Sequence, residues 1–114
     1  MKKKHVRIIP FFPDLARKLK DVNSALLYAQ LWYWKDKGGR SDGYIYKSKK
    51  ELTEETTLSR QKQDRARKRL EDSGWLVTKL CRANGHATLH YKCLKFLDGR
   101  NLAQVIAEFD AMQA

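Results

Sequence analysis

The sequence predicts an α+β fold: helices packed around a two-helix unit, then a C-terminal β-hairpin and a final amphipathic helix. Three observations predict it. From Ser59 to Ser73 the chain carries six Lys or Arg and no Gly or Pro, with Ser59 placed to cap a helix and Gly74 to end it. Just before this stretch, Ser48 and Glu51 form an S-x-x-E capping box for a shorter helix. Just after Gly74 the apolar pattern turns from helical to alternating, and Asn84-Gly85 marks a two-residue hairpin turn. A short helix, a turn, a longer basic helix and a basic hairpin are the layout of a winged helix-turn-helix.

The elements follow in order along one domain spanning residues 1–114. Residues 1–5 form a basic arm. Val6 to Phe12 is apolar and β-branched and is expected as a short strand, ended by Pro10 and Pro13. Pro13 suits the first turn of a helix running through Lys20. Asp21 or Asn23 caps the next helix, which runs to about Lys37. It is apolar on nearly every side, through Val22, Ala25, Leu26, Ala29, Trp32 and Tyr33 with Leu27, Tyr28, Leu31 and Trp34. Such a helix is buried centrally or shared with a partner, and its aromatics read as core rather than as a cofactor-stacking box. Tyr44 to Lys47 is a brief strand, residues 48–74 the helix-turn-helix and residues 75–97 the wing. Residues 101–113 carry the last helix, whose stripe of Leu102, Val105, Ile106, Phe109 and Met112 fits either docking on the core or a dimer interface.

The hairpin turn fixes a register. It pairs Leu80 with Leu89, Thr78 with Tyr91 and Leu76 with Cys93 on one face, expected to be buried. The other face takes Lys79 with His90, Val77 with Lys92 and Cys81 with Thr88. Cys81 and Cys93 thus point apart, which argues against a disulfide between them.

The charge narrows the function. There are 24 Lys and Arg against 13 Asp and Glu, a formal net charge of +11, while 42% of the residues are hydrophobic. A folded chain with such a field favours polyanions, nucleic acid first. No segment reads as a signal peptide or a membrane span, and two cysteines set the expectation of a reducing cytoplasm. Cys81, His86, His90 and Cys93 lack the spacing of a zinc site, so neither a metal nor another cofactor is expected. No paired carboxylates, phosphate loop or nucleophile arrangement suggests an enzyme.

Placed on a helical wheel, the basic helix turns Ser59, Gln63, Ala66 and Leu70 inward, a thin apolar face on which Gln63 sits where an aliphatic is expected. Gln61, Asp64, Arg65 and Lys68 point outward, flanked by Arg60, Arg67 and Arg69. Arg60, Gln61 and Arg65 carry donors that match base edges in the major groove, whereas Lys62, Lys68 and Arg69 suit phosphates. Asp64 either accepts from a cytosine amine or orients Arg60 or Lys68, the second being favoured. Lys49 and Ser59 complete the helix-turn-helix contacts, and Lys79, Arg82, His86 and Lys92 those of the wing.

The segments IPFFPDLARKL, ALLYAQLWYWKDKG, DGYIYKSKKELTEETTLSRQKQDRARKRLEDSGWLV and HATLHYK resemble the winged-helix domains of phage and plasmid proteins. These are replisome-organiser, replication-initiation and other mobile-element accessory proteins. The likeness spans about Ile8 to Lys95 and is most specific from Leu58 to Trp75. It implies a recognition helix starting at Ser59 and a wing from Trp75 to Lys95. Gln63 and Arg67 depart from the aliphatic pattern, and the second domain with which replication organisers bind helicase or loader partners is not matched by these residues. The expectation is a sequence-specific double-stranded-DNA-binding protein of a plasmid, phage or conjugative element. It would mark an origin of replication or transfer for replication or transfer proteins, as a monomer or as a homodimer through Leu102 to Met112. The competing readings are a transcriptional repressor, a protein-interaction adaptor using Tyr28 to Trp34 or the last helix, and a structured-RNA binder.

Overall fold

The computed structural model describes residues 8–35, 43–83 and 85–95, together with the single helical positions 104, 107 and 111. The basic arm, the turn after the second helix and the apolar stripe of the last helix (Leu102, Val105, Ile106, Phe109, Met112) lie outside the described residues, and with them the dimer expectation. Within the described residues the order is α1 (Pro13–Leu19), α2 (Val22–Lys35), β1 (Ile45–Tyr46), α3 (Lys49–Thr56), α4 (Arg60–Asp72), β2 (Leu76–Ala83) and β3 (His86–Cys93). The strands form one antiparallel sheet in the order β1-β3-β2. Three helices interleaved with a small sheet that ends in a hairpin make this a winged helix, preceded here by the short helix α1.

The strand expected over Val6–Phe12 is corrected: residues 8–12 form no strand, because Pro10 and Pro13 break the run and Phe12 instead precedes α1. Lys20 then takes a left-handed turn (φ 58°). Asp21 starts α2 by accepting hydrogen bonds from the Ser24 backbone N–H (3.0 Å) and the Ser24 hydroxyl (2.5 Å). As the all-round apolar pattern requires, α2 is central, burying Ala25, Leu27, Tyr28, Ala29, Leu31 and Trp32 against α1, α3, α4 and the sheet.

The local signals around the two-helix unit are realised side chain by side chain. Ser48 Oγ accepts from the Glu51 N–H (3.1 Å) and the Glu51 carboxylate accepts from the Ser48 N–H (3.2 Å), closing the capping box of α3. Ser59 Oγ accepts from the Lys62 N–H (3.3 Å) at the start of α4. The far end of α4 is a Schellman turn. The N–H of Gly74 donates to Glu71 O (3.1 Å), and that of Trp75 donates to Leu70 O (2.9 Å). Gly74 supplies the positive φ (79°) the turn needs. Leu70 and Trp75, which the motif brings together, are both buried in the core.

The hairpin adopts the expected register throughout, from Leu76↔Cys93 to Ala83↔His86. Its buried face is shorter than alternation implies. Leu76, Tyr91 and Cys93 are buried, but Leu80 is 57% exposed because the outer half of the hairpin runs past the helices. Cys81 and Cys93 are both free.

Candidate nucleic-acid interface

The site begins with how α4 is held. Its inward face is Gln63, Ala66 and Leu70, all buried. Gln63 is not a gap in the core. Its amide Nε2 lies within hydrogen-bond distance of Lys49 O (3.0 Å), Thr53 Oγ1 (2.9 Å) and Leu58 O (3.0 Å). A single side chain therefore ties α4 to both ends of α3: its first turn and the connecting turn that follows it. An aliphatic residue would remove this donor from all three, leaving Leu58 O with the Thr53 hydroxyl alone (2.9 Å).

One flank of α4 is an ion-pair ladder. Asp64 accepts from Lys49 Nζ (2.8 Å) and from Arg67 (3.4 Å), and Arg67 donates to Glu71 (3.1 Å). Glu71 also accepts from the Thr78 hydroxyl of β2 (2.5 Å). The expected pairing of Asp64 with Arg60 or Lys68 is thus corrected: its partners are Lys49 and Arg67. At roughly 100° per residue Asp64, Arg67 and Glu71 share one side of the helix, and that side faces α3 and the sheet. The Lys49 hydrogen bond and charge, with Arg67 behind it, hold the Asp64 carboxyl below its ordinary value. Arg69 lies on the opposite flank, where its Nε is 3.9 Å from Asp21 at the start of α2.

What remains outward on α4 is Arg60, Gln61, Lys62, Arg65 and Lys68, all exposed. Among the described residues none of the four cations in this set forms an ion pair. Next to the start of this surface lies a cleft of about 430 Å³ between the beginnings of α3 and α4 and the inner face of the hairpin. Lys49, Lys50 and Arg60 supply its cationic wall, and Leu80, Leu89 and Tyr91 its apolar one. Arg82, exposed, extends the same hairpin face toward the tip. Lys50 and Leu80 were not among the expected site residues. In sequence Lys50 is only part of a lysine run, and strand alternation puts Leu80 in the core.

The register divides the wing residues. Lys79, His86 and Lys92 stand on the sheet face opposite Leu80 and Arg82. The wing cations therefore do not gather on one surface. Lys79 Nζ sits 3.9 Å and Lys92 Nζ 5.6 Å from the centre of the Tyr44 ring, just before β1.

A second buried polar cluster supports the unit from below. Lys47 Nζ donates to Glu55 (2.5 Å) while resting 3.8 Å from the Trp34 ring centre. Trp34 Nε1 donates to the same carboxylate (2.8 Å), as does the Gln30 amide. Burial alone would raise the Glu55 carboxyl, but these donors hold it below its ordinary value. No sequence signal marked the cluster, because its members come from three elements. Among the described residues no group of His, Cys, Asp or Glu is arranged to hold a metal ion, and no helix is long and apolar enough to cross a membrane.

The chain matches no family model and no curated protein. It is similar to a solved structure described as "N-Terminal domain of DNA binding protein", with a TM-score of 0.55 and 20% sequence identity over 95% of this chain and 88% of that one. At that identity the likeness establishes the shared fold.

Proposed function

We propose that the chain is a sequence-specific double-stranded-DNA-binding protein in which α4 reads the major groove and the wing's inner face meets the adjoining backbone. One observation carries the reading. The exposed surface of α4 keeps Arg60, Gln61, Lys62, Arg65 and Lys68 out of ion pairs with described residues, while every acidic group of its Asp64–Glu71 flank is turned to structural partners. A helix that pairs Asp64 and Glu71 along one flank, leaves Asp72 at its far end and presents its cations on the open face is suited to a polyanion. The similar structure, itself a domain of a DNA-binding protein, supports the same reading.

The resemblance to phage and plasmid winged helices adds the finer proposal. The site would lie at an origin of replication or conjugative transfer on a mobile element, and the protein would position other machinery there. Repression of transcription is the second reading, since an operator demands the same surface.

The test is binding of duplex DNA as a function of salt. With about six phosphates neutralised, log K falls against log salt with a slope near −5, and a flat response overturns the proposal. Arg65→Ala costs sequence preference by about 1–3 kcal/mol, whereas Lys68→Ala weakens all sequences alike. Selection of bound fragments from the encoding element then separates an origin from an operator.

A further inference from the structure

The outer face of the sheet carries chemistry that the duplex-binding surface does not use. The register places Tyr46, His90 and Lys79 in one row across all three strands. Tyr46 is 48% exposed, and its ring centre lies 5.4 Å from that of His90. In the next row Lys92 and Val77 pair, with Val77 39% exposed. The Tyr44 ring lies beside them, approached by the ammonium groups of both Lys79 and Lys92. A solvent-facing sheet surface normally alternates to small polar residues. This one presents aromatic rings edged by cations.

We propose that this face is a second nucleic-acid surface, a platform that binds single-stranded DNA by stacking unpaired bases on Tyr46 and its neighbours while Lys79 and Lys92 neutralise the backbone. The charge selects a polyanion, and the rings select its state. In a duplex the base faces are already stacked on one another, so a shallow ring-bearing surface gains little from it. In a single strand every base offers an open face, and stacking on aromatics is tolerant of sequence. The proposal stands independently of the duplex reading, since Leu80, Arg82 and the α4 cations lie on the other side of the hairpin.

The experiment measures fluorescence anisotropy of a labelled oligothymidylate of about 16 nucleotides and of a mixed-sequence duplex, with the full chain. Tyr46→Ala is expected to weaken the oligothymidylate about tenfold and leave the duplex unchanged, while Tyr46→Phe keeps the single-strand affinity. Lys68→Ala should do the reverse, weakening the duplex alone. Melting curves by circular dichroism check folding, and Lys79→Glu tests the same face if Tyr46→Ala does not fold. Three results would overturn the proposal: no binding of oligothymidylate at low salt, single-strand binding lost with Lys68→Ala but not with Tyr46→Ala, or tighter binding of the matching oligouridylate. Loss of duplex binding in the unsubstituted chain would sink the duplex reading and leave this one standing.

Discussion

Gln63 shows how much one side chain decides at the residue scale. It is buried to 3% exposure and the two N–H groups of its amide are shared among three acceptors on α3 and the connecting turn. Truncation leaves two backbone carbonyls and a threonine hydroxyl without that donor, so Gln63→Ala should lower stability by about 1–3 kcal/mol. Urea unfolding measures this, and a loss within error would mean that water replaces the amide. Glu55 makes a second prediction at this scale. Because its folded carboxyl is held below the ordinary value, the stabilisation is complete above that value and is lost as pH falls through the lowered one. Stability should therefore drop on acidification, and Glu55→Gln should flatten that acid limb while costing stability at neutral pH, where Lys47 keeps only the more exposed Glu51 carboxylate, 3.7 Å away, as counter-charge. Urea midpoints taken from about pH 7 down to pH 3 would show it.

At the scale of elements, the parts written in local chemistry were legible. Ser48, Glu51, Ser59 and Gly74 act through residues at most four positions away, and a sequence window contains both partners. Asn84-Gly85 set the hairpin register for the same reason. What stayed hidden was contact between elements. On a lone helix Asp64 points outward, yet Lys49, fifteen residues earlier, reaches it from α3. Leu80 alternates like a core residue, but among the described residues no helix covers it. Val6 to Phe12 has strand-like composition, but its described part, residues 8–12, pairs with no described strand. The two cysteines test the sheet directly. Burial pushes the Cys93 thiol up to about 12, whereas Cys81 is half-buried on the opposite face. A thiol reagent should label Cys81 alone in the native protein and both after denaturation. Rapid native labelling of Cys93 would show that the base of the sheet opens.

Over the whole molecule, the net charge of +11 is sorted rather than spread. Among the described residues the Asp64–Glu71 flank joins α3 to α4 and the sheet, the Lys47–Glu55 pair joins the end of β1 to α3, and Arg60, Lys62, Arg65 and Lys68 are left outward on α4. The fold therefore determines which cations meet solvent, and composition alone could report only their number.

The hydroxyl of Tyr28 has a mechanical meaning. From the middle of α2 its one proton lies within reach of the carbonyls of Lys95 and Trp75 and its oxygen accepts from the Lys95 N–H, while the Leu94 N–H donates to Trp75 O (3.0 Å). Both legs of the hairpin are thus bolted at the root, and beyond Tyr91 the exposed Leu80 marks the start of an overhang. The wing is a cantilever: stiff at its mounting, compliant toward its end. Amide hydrogen exchange should trace that gradient, slowest at Leu76 and Cys93 and progressively faster through Leu80 and Leu89. A beam of this kind lets its free end follow the local contour of a bound strand without disturbing the angle at which α4 is presented.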